Sequence, residues 1–206
     1  MTTEHKAHVP PQGSGFRPRE YAHIVLKTAQ SDALIDWYCK VLGMRVVMRH
    51  PLISFLTWDD SQDRLAIIPM PEAQAPAPSA TGLHHAAFEV DSLKVLVEQY
   101  RALKAQGIVP LRCMNHGVAT SMYYADPDGN QVELTVAAFP TVEALNAWLA
   151  TGAFDANPVG ALYDPEDLCK RIDAGEPESE ILRPVPGHAE RLDEVLRQSR
   201  ELAART

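Results

Sequence analysis

The 206-residue chain is long enough to bury one sizeable core and carries a formal net charge of −8, with 27 Asp and Glu against 19 Lys and Arg. That balance, with its basic residues scattered, excludes a nucleic-acid surface, whose affinity comes from clustered Lys and Arg displacing counterions. Three cysteines, Cys39, Cys113 and Cys169, are too few and too far apart for a disulfide frame or a zinc cluster and are expected to be buried, reduced thiols in a cytoplasmic protein. The first residues lack the apolar stretch of a secretory leader, and no run is long enough to span a membrane.

Residues 1–19, rich in proline, glycine and charge, read as a mobile arm. "YAHIVLKT" then alternates as a strand does. In "SDALIDWYCKVLGM", Ser31 or Asp32 can cap a helix that buries Leu34, Ile35, Tyr38 and Leu42 and stops at Gly43. "RVVMR", "LISFLTW" and "RLAIIPM" give three short strands, and "PEAQAPAPSATG" is a linker by its prolines and small residues. The pattern then repeats. "HHAAFEV" is a strand and "DSLKVLVEQYRALKAQG" a helix capped by Asp91 and stopped by Gly107, before the strands "VPLRCM", "ATSMYYA" and "QVELTVAAF". "DPDG" closes the last hairpin with Pro127 and Gly129 where turns want them.

Two βαβββ units in tandem are therefore expected, about 20–70 and 82–139, together forming one α+β domain over 20–139. Their curved mixed sheets would enclose a cleft, with helices outside. Residues 140–206 read as a helical extension, with Asp164 ahead of Pro165 at a first helical position and a polar closing helix from His188. Such an extension is expected to brace the domain or a dimer partner.

Neighbouring strand residues point to opposite faces. In "HHAAFEV", His84, Ala86, Phe88 and Val90 form the bulky set a covering helix needs, which leaves His85, Ala87 and Glu89 for the cleft. In "YAHIVLKT" the same division turns His23, Val25 and Lys27 inward, and in "QVELTV" it turns Glu133 and Thr135 inward. A single inward histidine is ordinarily a hydrogen-bonded core residue. Two imidazoles and a carboxylate on one face of a matched repeat instead make the facial triad of a non-haem Fe(II) site, with positions open for two substrate oxygens and O2.

"AHIVL", "DWYCKVLGM", "GLHHAAFEV" and above all "MYYADPDGNQVEL" resemble the vicinal oxygen chelate superfamily, which includes glyoxalase I, bleomycin-resistance proteins and the extradiol ring-cleaving dioxygenases. The resemblance covers about residues 21–139 and is nearest to one-domain extradiol enzymes. It implies His23, His85 and Glu133 as ligands of Fe(II), or of Mn(II) or another divalent ion, with an aromatic vicinal diol and O2 as substrates. It also implies Tyr123 as a hydrogen-bond donor to a substrate oxygen, on one strand face with Ser121 and opposite Met122 and Tyr124.

His116, at the entrance of that strand, suits proton transfer, although a loop histidine bonded to backbone is an equal reading. Asn115 would support it. Trp58, Phe55 and Met48 are candidates for the substrate wall, with core packing the alternative. Thr57, Trp58, Gln62 and Asp63 stand where many extradiol relatives carry histidines, so that His116 or His50 would have to substitute. "RLAIIPM" lacks the fourth ligand of a glyoxalase I, unless Asp63 at its edge provides it. Two other readings remain: a lyase or isomerase using the metal as a Lewis acid without O2, and a metal-free binding protein of the resistance type. A homodimer is expected.

Overall fold

Alternating apolar residues in the first half of the chain build a four-stranded sheet from β1 (Ile24–Thr28), β2 (Arg45–His50), β3 (Ile53–Thr57) and β4 (Leu65–Pro69), in the order β1-β4-β3-β2. Helix α1 (Ser31–Val41) connects β1 to β2. The second half repeats the plan with β5 (His85–Glu89), helix α2 (Leu93–Lys104), β6 (Arg112–Asn115), β7 (Ala119–Ala125) and β8 (Gln131–Ala137). In each sheet the first strand runs parallel to the last and the others pair antiparallel. The computed structural model describes residues 18–74 and 81–183. Most of the arm, part of the linker and the closing helix expected from His188 lie outside those residues.

One core joins the two modules. Leu34, Tyr38 and Val41 of α1, Leu96, Val97 and Leu103 of α2, and Leu56, Ile67, Met122, Tyr124 and Leu134 of the sheets are all buried in it. Polar links cross the same junction. The Tyr38 hydroxyl donates to Asp126 Oδ2 at 3.2 Å, and Gln30 Nε2 donates to Asp128 Oδ1 at 2.7 Å. Asp126 also accepts from the backbone N–H groups of Asp128 and Asn130, which shapes the "DPDG" turn. Burial raises its carboxyl above the ordinary range while those bonds oppose the shift.

Both helix starts differ from the sequence expectation by one residue. Gln30, not Ser31 or Asp32, is the N-cap of α1, and no side chain caps it. Ser92, not Asp91, caps α2, its Oγ accepting from the N–H of Val95 at 3.2 Å. A capping oxygen must reach an N–H two or three residues on, which Ser92 does. Gly43 and Gly107 end the helices with positive φ, as expected.

The extension is not purely helical. Between α3 (Val142–Leu149), α4 (Ala153–Ala156), α5 (Pro165–Asp173) and α6 (Glu178–Ile181) runs a two-residue strand, β9 (Ala161–Leu162). It pairs with β6 and makes the second sheet five-stranded, in the order β5-β8-β7-β6-β9. Asp164 caps α5 with Pro165 at its start, as the sequence implied. Leu168, Cys169 and Ile181 enter the core. Cys113 and Cys169 are buried free thiols, whereas Cys39 is half-buried, and burial pushes Cys113 up to about 12. No helix among the described residues is long and apolar enough to cross a membrane.

Glu178 ties this extension to α2. Its carboxylate accepts from the N–H groups of Leu93 at 2.8 Å and Lys94 at 3.1 Å, two of the donors that a helix leaves unpaired at its N-terminus. Glu178→Ala is expected to lower unfolding stability by about 1 kcal/mol, the usual size of a lost cap, as measured by urea denaturation.

Candidate active site

In the second sheet, residues directly opposite one another share a face. Glu133 of β8 stands opposite Tyr123 of β7, and Tyr123 opposite Arg112 of β6. Ala87 of β5 stands opposite Glu133, which places His85, two residues earlier, on the same side. The result is one cluster. His85 Nε2 lies 2.9 Å from Glu133 Oε2, and the His85 and Tyr123 rings meet edge-on at 5.4 Å. The Arg112 guanidinium lies 4.0 Å from the centre of the Tyr123 ring.

His116 enters from the loop after β6. Its Nδ1 is 2.7 Å from the carbonyl oxygen of Val159 and its Nε2 is 2.8 Å from the Tyr123 hydroxyl. A carbonyl only accepts, so Nδ1 is the donor in the first contact. In the neutral ring Nε2 is then the acceptor, and the Tyr123 hydroxyl donates to it. His116 and Tyr123 thus form a directed pair, with the backbone bond of the loop-histidine reading on one ring nitrogen and a contact to Tyr123 on the other.

Burial dominates the electrostatics here. Tyr123 is 3 % exposed, and its phenol is held well above the ordinary range by burial first and by the Glu133 charge second, with Arg112 opposing. It therefore remains protonated and able to donate. Burial lowers the pKa of Arg112, while the negative charge of Glu133 favours its cation. Ser121 is fully buried beside them, its Oγ 2.9 Å from Thr135 Oγ1.

Three sequence expectations are corrected. His84 does not point into the helix layer: β5 begins at His85, so the alternation does not reach it, and the exposed His84 ring sits with its Nδ1 2.7 Å from His85 Nδ1. His23 does not join His85 and Glu133. It precedes β1 in the other sheet, with Nδ1 2.9 Å from Asp63 Oδ2. That contact lacks hydrogen-bond alignment, so the buried Asp63 Oδ2 has no hydrogen-bond partner among the described residues. Among those residues no group of three His, Cys, Asp or Glu side chains gathers for one ion. Alternation orients side chains within a sheet, and no strand pairing joins these two sheets to carry the argument across.

The third correction concerns the substrate wall. Trp58 packs edge-on to Phe88 at 5.5 Å and lines a groove of about 610 Å³ with Ile24, Leu42, Ala87 and Leu134, to which Glu133, Tyr123 and His116 do not contribute. Phe55 is half-buried and shares a face with Ala66, Val25 and Met48 of the first sheet. Asn115 is buried and shapes the His116 loop, its Oδ1 accepting from Gly117 N at 2.8 Å. His50 stays on the exposed β2, where its Nδ1 accepts from Leu52 N. Arg112 was missed by sequence reasoning: it obeys the alternation of "VPLRCM", but its place opposite Tyr123 depends on the register of β6 against β7.

The His85 and Glu133 donors suit a divalent ion. Two ligands on a six-coordinate ion with bonds of about 2.1 Å stand about 3 Å apart, close to their separation here.

A chain with this fold and this face is a member of a known class. Residues 20–134 match the family described as Glyoxalase/Bleomycin resistance protein/Dioxygenase superfamily, and the chain belongs to it. It is 40 % identical over 163 residues to biphenyl-2,3-diol 1,2-dioxygenase 2 of Rhodococcus globerulus, covering 79 % of this chain and 86 % of that one. It is 39 % identical over 162 residues to biphenyl-2,3-diol 1,2-dioxygenase 3 of the same organism, covering 78 % and 85 %. Among solved structures, a glyoxylase/bleomycin resistance protein/dioxygenase domain from Frankia sp. EAN1pec superposes with a TM-score of 0.50 at 17 % identity, covering 59 % of this chain and 99 % of that one, a likeness of fold alone.

His85→Ala is expected to abolish divalent-metal binding, read as metal content after anaerobic loading with Fe(II), while His84→Ala retains it. Loss of metal from the His84 variant instead would show that the wrong histidine of the pair has been assigned.

Proposed function

We propose that this enzyme is an extradiol-type dioxygenase that cleaves an aromatic vicinal diol with O2. The observation that carries this reading is the cluster of His85, Glu133, Tyr123, His116 and Arg112 on one sheet face, in a chain about 40 % identical to biphenyl-diol dioxygenases over most of its length. The substrate is a small aromatic diol of the catechol or biphenyl-diol kind. The C–C bond beside the diol breaks, and both atoms of O2 enter the product.

His85 and Glu133 hold the metal in this reading, with His23 as the third donor and Fe(II) the ion, ahead of Mn(II). When bound, the ion supplies chelation of the two diol oxygens and electronic contact between ring and O2. The chain's own groups do the rest. When His116 Nε2 takes up a proton, its N–H donates to the Tyr123 oxygen. The single phenol hydrogen is thereby freed to donate to a substrate oxygen as negative charge develops there, in a buried setting where such a bond is strong. His116 Nε2 is the proton acceptor, and its bond to Tyr123 keeps the two groups in register. Arg112 adds fixed positive charge that favours an ionised diol.

His23 must come to the pair from elsewhere. The exposed β2, with Val46, Val47 and Met48 open, supports a second copy as the cover of the first sheet. In such a homodimer His23 of one copy can serve His85 and Glu133 of the other. A mixture of His23→Ala and His85→Ala chains is then expected to recover part of the activity each lacks alone; no recovery would place the donors within one chain.

Anaerobic Fe(II) loading followed by oxygen uptake across a catechol panel tests the whole reading, with O2 consumed and a yellow ring-opened product expected. Turnover without O2 would select the lyase or isomerase reading instead. Tyr123→Phe is expected to lower kcat by about a hundredfold, the scale of one lost oxyanion donor, with metal content unchanged.

A further inference from the structure

The extension beyond the two modules touches the acid–base pair directly. Val159 O accepts from His116 Nδ1 at 2.7 Å. The turn that presents this carbonyl is closed by Asn157, whose Oδ1 accepts from Gly160 N at 2.9 Å. Gly160 has φ +99°, and a Cβ there would lie 2.3 Å from the Asn115 carbonyl oxygen and 2.7 Å from His116 Cα. Backbone atoms cannot swing aside as a long side chain would, so only glycine lets the turn come this close. Immediately after it, β9 pairs Ala161 with Asn115 and Leu162 with Met114, anchoring the turn to the strand that leads into His116.

An isolated imidazole does not dictate which nitrogen carries the proton; the partner of one nitrogen decides the state of the other. Among the described residues the partner of Nδ1 is an acceptor fixed in the backbone, and Nε2 is thereby kept bare toward Tyr123. From this geometry we infer that the turn at 157–160 is a positioning element of the active site, setting the tautomer of His116 through the Val159 carbonyl. The inference rests on the proposed role of His116 and assigns the extension a part in turnover beyond bracing the fold. Asn157 and Gly160 are its positioning residues.

The test compares Asn157→Ala, Asn157→Asp, Gly160→Ala and Gly152→Ala in the full chain. Gly152 lies in the same extension with φ +75°, yet a Cβ there meets nothing within 4 Å, so it reports backbone strain without the clash. Long-range 1H–15N correlation spectra of histidine-labelled, metal-free protein read the tautomer directly. Protonated Nδ1 and bare Nε2 are expected for His116 in the parent, in Asn157→Asp and in Gly152→Ala. A mixture of tautomers is expected in Asn157→Ala and Gly160→Ala.

In the Fe(II)-loaded enzyme, Asn157→Ala is expected to lower kcat about tenfold, a fraction of what full loss of a general base costs, with KM within about twofold. Asn157→Asp, which keeps the accepting oxygen, should restore it. An unchanged tautomer or an unchanged kcat in Asn157→Ala overturns the inference, as does an equal loss in Gly152→Ala. His116→Gln separates the two levels. If it loses activity while the turn variants keep theirs, this inference alone fails; if it keeps full kcat, the role proposed for His116 fails.

Discussion

The register of β7 against β8 is the constraint on which the site depends. With Tyr123 opposite Glu133 and Met122 opposite Leu134, one face of the hairpin is polar and the other apolar. A slip of one residue would send Met122, Tyr124 and Leu134 toward the site and bury Tyr123 and Glu133 among the helices. Met122 and Tyr124 are fully buried and Leu134 nearly so, and such a change would set them among polar groups while placing the Glu133 carboxylate in an apolar core. The apolar core on one side of the sheet therefore fixes, by exclusion, the polar arrangement on the other. Chemistry on this face is precise because packing on the opposite face allows no second register.

Around that sheet, charge is distributed in a way that only burial makes useful. One carboxylate, Glu133, meets the His85 imidazole, and beside it a guanidinium is stacked on Tyr123, a phenol that burial keeps protonated and that bonds the His116 imidazole. In water these groups would be screened and exchange partners freely. Where Tyr123, Ser121 and Glu133 are nearly or fully excluded from solvent, their orientations persist and the hydroxyl keeps a single direction of donation. The extension contributes to this closure: Val159 and Leu162 pack against Met114 and Tyr123, and the Tyr163 hydroxyl donates to the Ser121 carbonyl. Residues after the second module are thus continuous with the site, and Glu178, Glu166 and Asp173 hold them to α2.

Much of this was legible in the sequence because it is local. Alternation in "QVELTV" and "ATSMYYA" determined which residues face which way, and the "DPDG" turn determined how the hairpin closes. Repetition of the same order of elements determined the two modules. The inward assignments of His85 and Glu133 follow from period-two patterning, whereas Tyr123, with Ser121 on its strand face, was implied by the family resemblance. Where the pattern ended, so did its authority: His84, one residue before β5, followed its neighbour instead of the helix side. Arg112 obeys the same alternation, but its pairing with Tyr123 depends on the register of β6 against β7, which the sequence of one strand does not carry.

What the sequence by itself determined was the fold class, the repeated strand–helix order, and the side of each strand on which a polar group lies. Those properties follow from interactions within a few residues or between adjacent strands. The tertiary structure decided how far apart the two sheets hold their histidines, so that His23 meets Asp63 while His85 meets Glu133. It also decided that a carbonyl from the extension would face His116. These distances join segments tens of residues apart through the packing of one shared core, and no periodicity along a chain encodes the placement of one sheet, or one turn, against another.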